Sequence, residues 1–137
     1  MKIKVAVNGY GVIGKRVADA VSLQDDMELT GVYDVVTDWR IKMAELKHYT
    51  VFASDNTFKS KMNEAKIKTS GTLDDLLASS DIIVDCTPKK IAAQNIELYK
   101  KLGENLFYRE VKSMMLRAIH LVRKIIIQLH LTGIPRE

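Results

Sequence analysis

The sequence of 137 residues fits one domain with a single core, and 47% hydrophobic with 28% charged residues is an ordinary globular composition. Its one cysteine excludes a disulfide framework and a structural zinc site built from several thiolates, and it favours a reduced, cytoplasmic setting. The net charge of +4 lies entirely in residues 101–137, because residues 1–100 carry equal numbers of acidic and basic residues, so the body of the chain is not expected to bind nucleic acid.

The first hundred residues alternate strand and helix patterns. The run KIKVAVN at residues 2–8 is typical of a buried parallel strand and is too short for the core of a signal peptide. A glycine turn separates it from residues 12–24, whose apolar side chains recur at helical spacing. The run MELTGVY predicts a second strand over residues 27–33, and a short helix is predicted over Trp39–Leu46.

The alternation continues to about residue 102. TVFAS predicts a short strand, and the next helix is predicted over Phe58–Ala65. Thr72 and Asp75 resemble a capping box that opens the helix TLDDLLASS. SDIIVDCTP predicts a third clear strand, and KKIAAQNIELYKKLG predicts a helix through about Leu102 that Gly103 closes. The order predicts an α/β fold with a parallel sheet and flanking helices.

The turn between the first strand and the first helix reads GYGVIG at residues 9–14, a GxGxxG pattern. In this context each glycine has a physical task. Gly9 turns the chain tightly out of the strand, Gly11 lets a pyrophosphate approach the backbone, and Gly14 lets the helix pack closely on the sheet. The pattern favours a dinucleotide site in a Rossmann-type sheet over a turn without a ligand.

Three further residues near this turn are candidate cofactor contacts. Val12 and Ile13 begin the helix and would contact the phosphates through backbone N–H groups. Asp34 lies twenty residues after Gly14, where a carboxylate accepts both ribose hydroxyls of NAD and repels the extra phosphate of NADP. A solvated loop aspartate is the alternative interpretation of Asp34. The predicted cofactor is NAD, with NADP as the second choice.

Several segments resemble one enzyme family over residues 1 to about 103. NGYGVIGKRVADAVSLQDDMEL, GTLDDLL, SDIIVDCTPKKI and NIELYKK are similar in order and spacing to the N-terminal part of archaeal glyceraldehyde-3-phosphate dehydrogenase. The resemblance implies a phosphorylating oxidoreductase of glycolysis and gluconeogenesis that uses NAD or NADP and works as a cytoplasmic homotetramer. It also implies that Thr87 and Pro88 lie beside the dinucleotide. Two positions depart from the family: Val12 replaces a usual Thr or Ser, and Tyr33-Asp34 replaces a Lys-Thr that suits NADP.

The catalytic segments of that family do not occur in this sequence. The resemblance implies a nucleophilic cysteine in a Ser-Cys-Asn-Thr segment and a later histidine base, so no catalytic residue is assigned and this part is expected to be inactive alone. Cys86 follows a buried strand with no histidine near it in sequence, and we interpret it as a structural thiol. The histidines make no metal-ligand spacing with Cys86, and no metal is expected. A small reductase for another aldehyde is a weaker alternative, since no general acid or base constellation is apparent.

Residues 104–137 are interpreted as a basic, apolar, helical tail after a truncated Rossmann domain of residues 1–103. One hypothesis is a slip of the reading frame between about Gly103 and Arg109. Bases that encode REVKSMM, residues 109–115, can also encode Gly-Gly-Glu-Lys-Tyr-Asp two nucleotides in, which resembles a family segment. The alternative is a stand-alone dinucleotide-sensing module whose basic helix contacts a partner. Charges within the apolar run argue against a membrane span.

Overall fold

The computed structural model describes residues 1–102 and 107–110. For Leu102 and for residues 107–110 it describes the backbone alone. The elements, in chain order, are β1 (Ile3–Asn8), α1 (Val12–Ser22), β2 (Met27–Tyr33), α2 (Trp39–Leu46), β3 (Val51–Ala53), α3 (Asn56–Glu64), β4 (Gly71–Thr72), α4 (Leu73–Ala78), β5 (Ile82–Asp85), α5 (Lys89–Leu102) and β6 (Phe107–Glu110). The strands lie in the order β4-β3-β2-β1-β5-β6, and every neighbouring pair is parallel. The predicted Rossmann-type fold with flanking helices is confirmed.

The order of the strands places a crevice beside β1. From β1 the chain moves outward through β2 and β3 to β4, and then returns across the sheet to β5 on the other side of β1. Asn8 at the end of β1 pairs in register with Tyr33 of β2 and with Asp85 of β5. The three strands therefore end level, at the switch point where open α/β sheets bind ligands.

The core has two layers, one on each face of the sheet. Along β1 the side chains of Val5 and Val7 face one layer and Ala6 faces the other, and all three are fully buried. The helices α1, α2 and α3 cover the first face, and α4 and α5 cover the second. Residues buried in the layer on the first face include Val17, Val21, Ile41 and Met62. This packing holds β1 and the turn after it between two apolar layers.

Side-chain caps set where two helices begin. Asp55 accepts the backbone N–H of Phe58 at 2.8 Å, so α3 begins at Asn56, two residues before the predicted start. The predicted capping box of α4 is confirmed, since the backbone N–H and the hydroxyl of Thr72 both donate to Asp75 Oδ2, at 2.8 and 3.1 Å. The two-residue strand β4 was not predicted, because so short a pairing leaves no periodic pattern.

The prediction of a helical tail from residue 104 onward is wrong for residues 107–110, which form β6. Phe107 to Glu110 pair in parallel with Ile82 to Asp85 of β5. The backbone hydrogen-bonding groups at the free side of β5 determine this strand, and a pattern of apolar side chains does not reveal them. The rest of the predicted tail lies outside the described residues. In the part that the structure describes, no helix is long and apolar enough to cross a membrane.

Candidate dinucleotide-binding site

A cleft of about 810 Å³ opens where β1, β2 and β5 end. It lies at the carboxyl edge of the sheet, where the topology places a ligand site. Seven of the eight predicted cofactor contacts line it: Gly9, Gly11, Val12, Ile13, Asp34, Thr87 and Pro88. The eighth, Gly14, lies behind the glycine turn. The fold thus brings residues from three separate stretches of sequence to one cavity.

The three glycines differ in what surrounds them. Gly9 has a φ of +91°, and a Cβ there would come within 3.0–3.1 Å of Cys86 and Thr87. A Cβ on Gly14 would lie 1.6 Å from the carbonyl oxygen of Gly9, so only glycine allows this contact between α1 and the turn. A Cβ on Gly11 would meet nothing within 4 Å. Gly9 and Gly14 therefore shape the turn, whereas Gly11 leaves room for a ligand.

The N-terminus of α1 reaches the cleft. Gly11 is its N-cap and has no side chain to accept a hydrogen bond from the first turn. Val12 and Ile13 follow it and line the cavity, and the side chain of Val12 is 71% exposed. Unpaired N–H groups and the positive end of the helix dipole stabilise an anion at such a place. The site is suited to a phosphate held by the backbone.

Asp34 is fixed to the glycine turn by hydrogen bonds. Its Oδ2 accepts the backbone N–H of Tyr10 at 2.7 Å, and its Oδ1 accepts the N–H of Val35 at 2.7 Å. Each carboxylate oxygen can accept a further hydrogen bond, because it has two lone pairs. The two backbone donors orient the carboxylate in the wall of the cleft. The backbone thus holds Asp34 at the lining of the cleft, and its contact with a ligand stays a prediction.

Arg40 also lines the cleft, although the sequence patterns did not single it out. Asp38 is the N-cap of α2 and accepts the backbone N–H of Arg40 at 2.9 Å. The same carboxylate accepts from Arg40 Nε at 2.9 Å and from Nη2 at 2.6 Å. The hydrogen bonds and charge of Asp38 raise the pKa of Arg40, and the charge of Asp34 raises it further. The feature of the sequence that could have indicated Arg40 is an N-cap aspartate two residues before it.

A buried network joins the ends of β1 and β5 to α5. Asp85, which is 2% exposed, accepts from the backbone N–H and hydroxyl of Thr87, from Asn95 Nδ2 at 2.9 Å and from the hydroxyl of Tyr99 at 2.6 Å. The Tyr99 hydroxyl in turn accepts from Asn8 Nδ2 at 2.6 Å. Burial and the bond to Asp85 raise the pKa of Tyr99. The network fixes the segment that contains Thr87 on one side of the cleft.

The lone thiol is not set up as a nucleophile. Burial, and then the charge of Asp85, raise the pKa of Cys86 to about 12, so the thiolate is scarce at neutral pH. His48 follows Lys47, the C-cap of α2, and does not line the cleft. Among the described residues, no three His, Cys, Asp or Glu side chains are grouped in a way that could hold a metal ion. These observations support the interpretation of Cys86 as a structural thiol.

The family described as dihydrodipicolinate reductase, N-terminus, matches residues 3–107, which is most of the chain. The chain belongs to this family. The curated relatives it matches include glyceraldehyde-3-phosphate dehydrogenase of Archaeoglobus fulgidus, 48% identical over 104 residues, and that of Methanobacterium bryantii, 50% identical over 100 residues. These alignments cover 75% and 72% of the chain but 30% of each relative. The predicted resemblance to the N-terminal part of the archaeal enzymes is confirmed, and the chain spans about a third of their length.

Solved structures agree with the fold. Saccharopine dehydrogenase from Saccharomyces cerevisiae superposes with a TM-score of 0.54 at 18% identity, over 84% of this chain and 23% of that one. Apo scyllo-inositol dehydrogenase from Lactobacillus casei gives 0.52 at 19% identity, over 93% of this chain and 33% of that one. At these identities the likeness extends to the Rossmann-type fold alone.

Proposed function

We propose that residues 1–103 bind NAD and form the cofactor-binding part of a phosphorylating glyceraldehyde-3-phosphate dehydrogenase. The observation that carries this proposal is that the glycine turn, the start of α1, Asp34 and the Thr87-Pro88 segment all line one cleft. The relatives that match these residues at 43–50% identity are named as that enzyme. The whole enzyme is an oxidoreductase that acts on an aldehyde in glycolysis and gluconeogenesis.

The residues present fit a dinucleotide. Gly11 and the first turn of α1 would hold the pyrophosphate, because the space beside the Gly11 backbone is open and the N–H groups there can donate to phosphate oxygens. Asp34 would accept the hydroxyls of the adenosine ribose, and Thr87 with Pro88 would form the opposite wall. Bound NAD supplies the acceptor for a hydride, and the domain supplies its position and excludes water from one side.

The proposed preference for NAD over NADP depends on Asp34. The carboxylate is held in place by two backbone N–H groups and does not need to move to meet a ribose hydroxyl. A 2′-phosphate at the same place would bring two negative charges together, which costs free energy because the cleft is only partly solvated.

We also propose that the 137 residues alone do not oxidise glyceraldehyde 3-phosphate. The family's reaction requires a cysteine thiolate, whereas burial and the charge of Asp85 raise the pKa of the single thiol here to about 12. The expected behaviour is cofactor binding without turnover. A cytoplasmic location and assembly as a homotetramer are further proposals that come from the family resemblance.

The division into residues 1–103 and 104–137 is likewise a proposal. The family match ends at residue 107, which supports a boundary near Gly103. The nucleotide sequence from codon 100 onward tests the proposed frame slip. A neighbouring frame that continues with the family's Gln-Gly-Gly-Glu-Lys segment is the expected result, and a single frame with no such continuation favours the partner-binding tail instead.

Calorimetric titration of the 137-residue chain with NAD and NADP tests the proposed function. We expect one NAD site per chain and binding of NADP at least about tenfold weaker, as one unfavourable charge contact produces. Asp34→Ala should weaken NAD and remove the preference. Asp25→Ala is the matched control, because Asp25 is an exposed aspartate outside the cleft. Equal affinity for both cofactors in the unaltered chain would contradict the role of Asp34.

A further inference from the structure

The guanidinium of Arg40 is held in one orientation at the edge of the cleft. Nε donates to both oxygens of Asp38, at 3.2 and 2.9 Å, and Nη2 donates to Oδ2 at 2.6 Å. The side chains remain 44% and 39% exposed, so this is a fixed but solvated ion pair. Within the described residues, Nη1 makes no hydrogen bond. One edge of a preoriented guanidinium therefore remains available to a ligand.

Two carboxylates influence Arg40 at this edge. Asp38 binds it directly, and the charge of Asp34 also favours its protonated form. Asp34, Val35 and Arg40 all line the cleft on the side where β2 ends. The second cation that lines the cavity, Lys89, begins α5 after β5, and β1 lies between β2 and β5. The edge beside Asp34 thus carries one cation and two anions.

We propose that Arg40 is a second cofactor-specificity residue, a phosphate-binding cation which Asp34 and Asp38 hold in check. This inference rests on the proposed binding of a dinucleotide in the cleft. An arginine near the carboxyl end of the second strand is suited to the 2′-phosphate of NADP, because its planar N–H groups match phosphate oxygens. In the unaltered chain, the two carboxylates offset its charge and NAD is preferred. Removal of one carboxylate exposes that charge and shifts the preference toward NADP.

The test is a double-mutant cycle in NADP affinity between Asp34→Ala and Arg40→Ala. Asp34→Ala alone should strengthen NADP binding by about thirtyfold. About tenfold comes from removing one like charge near the phosphate, and about threefold comes from the charge of Arg40, which Asp34 no longer offsets. The same substitution in the Arg40→Ala background should strengthen NADP binding by only about tenfold, because the part that depends on Arg40 is lost. Lys42→Ala, an exposed cation two residues later on α2, should leave the thirtyfold gain intact.

Asp38→Asn isolates the second carboxylate. Asparagine is as good an N-cap as aspartate, so α2 keeps its first hydrogen bond while the charge is removed. We expect NADP to bind several-fold more tightly and the midpoint of thermal unfolding to change little. If α2 is still folded and the affinity for NADP does not change, the part of the proposal that concerns Asp38 is wrong.

Two nucleotide probes separate this inference from the proposed function. Arg40→Ala should weaken 2′,5′-ADP more than 5′-ADP, since only the former carries the 2′-phosphate. If all forms of the chain bind NAD but the gain in Asp34→Ala is the same with and without Arg40, the inference is wrong and the proposed function stands. If no folded form binds NAD, NADP or 5′-ADP, the proposed function fails first.

Discussion

The hydroxyl of Tyr99 lies 2.6 Å from Asp85 Oδ2 and 2.6 Å from Asn8 Nδ2, so one side chain of α5 joins the carboxyl ends of two neighbouring strands. Tyr99 and Asn8 are each 1% exposed. The strand ends that Tyr99 joins continue directly into the glycine turn and the Thr87-Pro88 segment. The shape of the cleft is therefore linked to a hydrogen-bond network beneath it.

Tyr99→Phe should destabilise the chain by about 1–3 kcal/mol, the cost of leaving buried polar groups without a partner. The substitution removes a donor from Asp85 and the acceptor of Asn8, whose Oδ1 already has no partner in the described part. Urea unfolding measures the effect. Tyr49→Phe is the control, because its hydroxyl bonds Asp19 and Ser22 nearer the surface, and a loss as large there would contradict a special role for the buried network.

Alanine should affect different properties at two glycines of the same turn: the stability of the fold at Gly14 and the affinity for NAD at Gly11. Gly14→Ala places a Cβ 1.6 Å from the Gly9 oxygen, so we expect loss of several kcal/mol of stability or no folded protein. Gly11→Ala meets nothing within 4 Å and should fold normally, yet weaken NAD by roughly tenfold or more, because the methyl group keeps the pyrophosphate from the backbone. Circular dichroism and calorimetry separate the two. If the Gly11→Ala variant folds and binds NAD with unchanged affinity, the phosphates do not bind at this turn.

Cys86 should react slowly with iodoacetamide in the folded chain. Its pKa of about 12 lies above the ordinary value near 8.5, so at pH 8 the thiolate is on the order of a thousandfold scarcer than in the unfolded chain. Denaturant should restore the rate of an ordinary thiol. Mass spectrometry of alkylated chain after timed quenching provides the measurement, and rapid modification under native conditions would contradict the structural interpretation.

Asp75→Asn should destabilise the chain at pH 7 but not at strongly acidic pH. The backbone N–H of Thr72 and then its hydroxyl hold the pKa of Asp75 below its ordinary value of 3.8. A lowered folded-state pKa contributes stability that is present above the unfolded pKa and is lost as the pH falls through the folded value. The difference in thermal midpoint between the two proteins should therefore close below about pH 4. Asp74→Asn is the control, because Thr72 does not donate to it; a difference that persists in acid would contradict this origin.

Local signals in the sequence predicted much of the fold and the outline of the site. Helix α2 and strand β2 have the predicted bounds, and the local N-cap at Asp38 sets the start of α2. The contact of Gly14 with the carbonyl oxygen of Gly9 lies within one turn, and Thr72 with Asp75 forms a cap three residues apart. Each of these features is determined by residues that are close in sequence.

The features that the sequence did not reveal depend on contacts between distant segments. Tyr99 is hydrogen-bonded to Asn8, which lies 91 positions earlier in the sequence. Asn95 is an ordinary polar helix residue in the sequence, and its bond to Asp85 depends on the packing of α5 beside β5. Strand β6 forms because β5 has a free side, which apolar periodicity cannot indicate. Arg40 enters the cleft because α2 begins beside the end of β2.

The most direct test of the central claim is calorimetric titration of the folded 137-residue chain with NAD, compared with its Gly11→Ala variant. Circular dichroism and a cooperative thermal transition first establish that both proteins are folded. We expect saturable binding of one NAD per chain, weakened roughly tenfold or more by the added methyl group. A folded chain that does not bind NAD at millimolar concentration would contradict the claim that this cleft is a dinucleotide site.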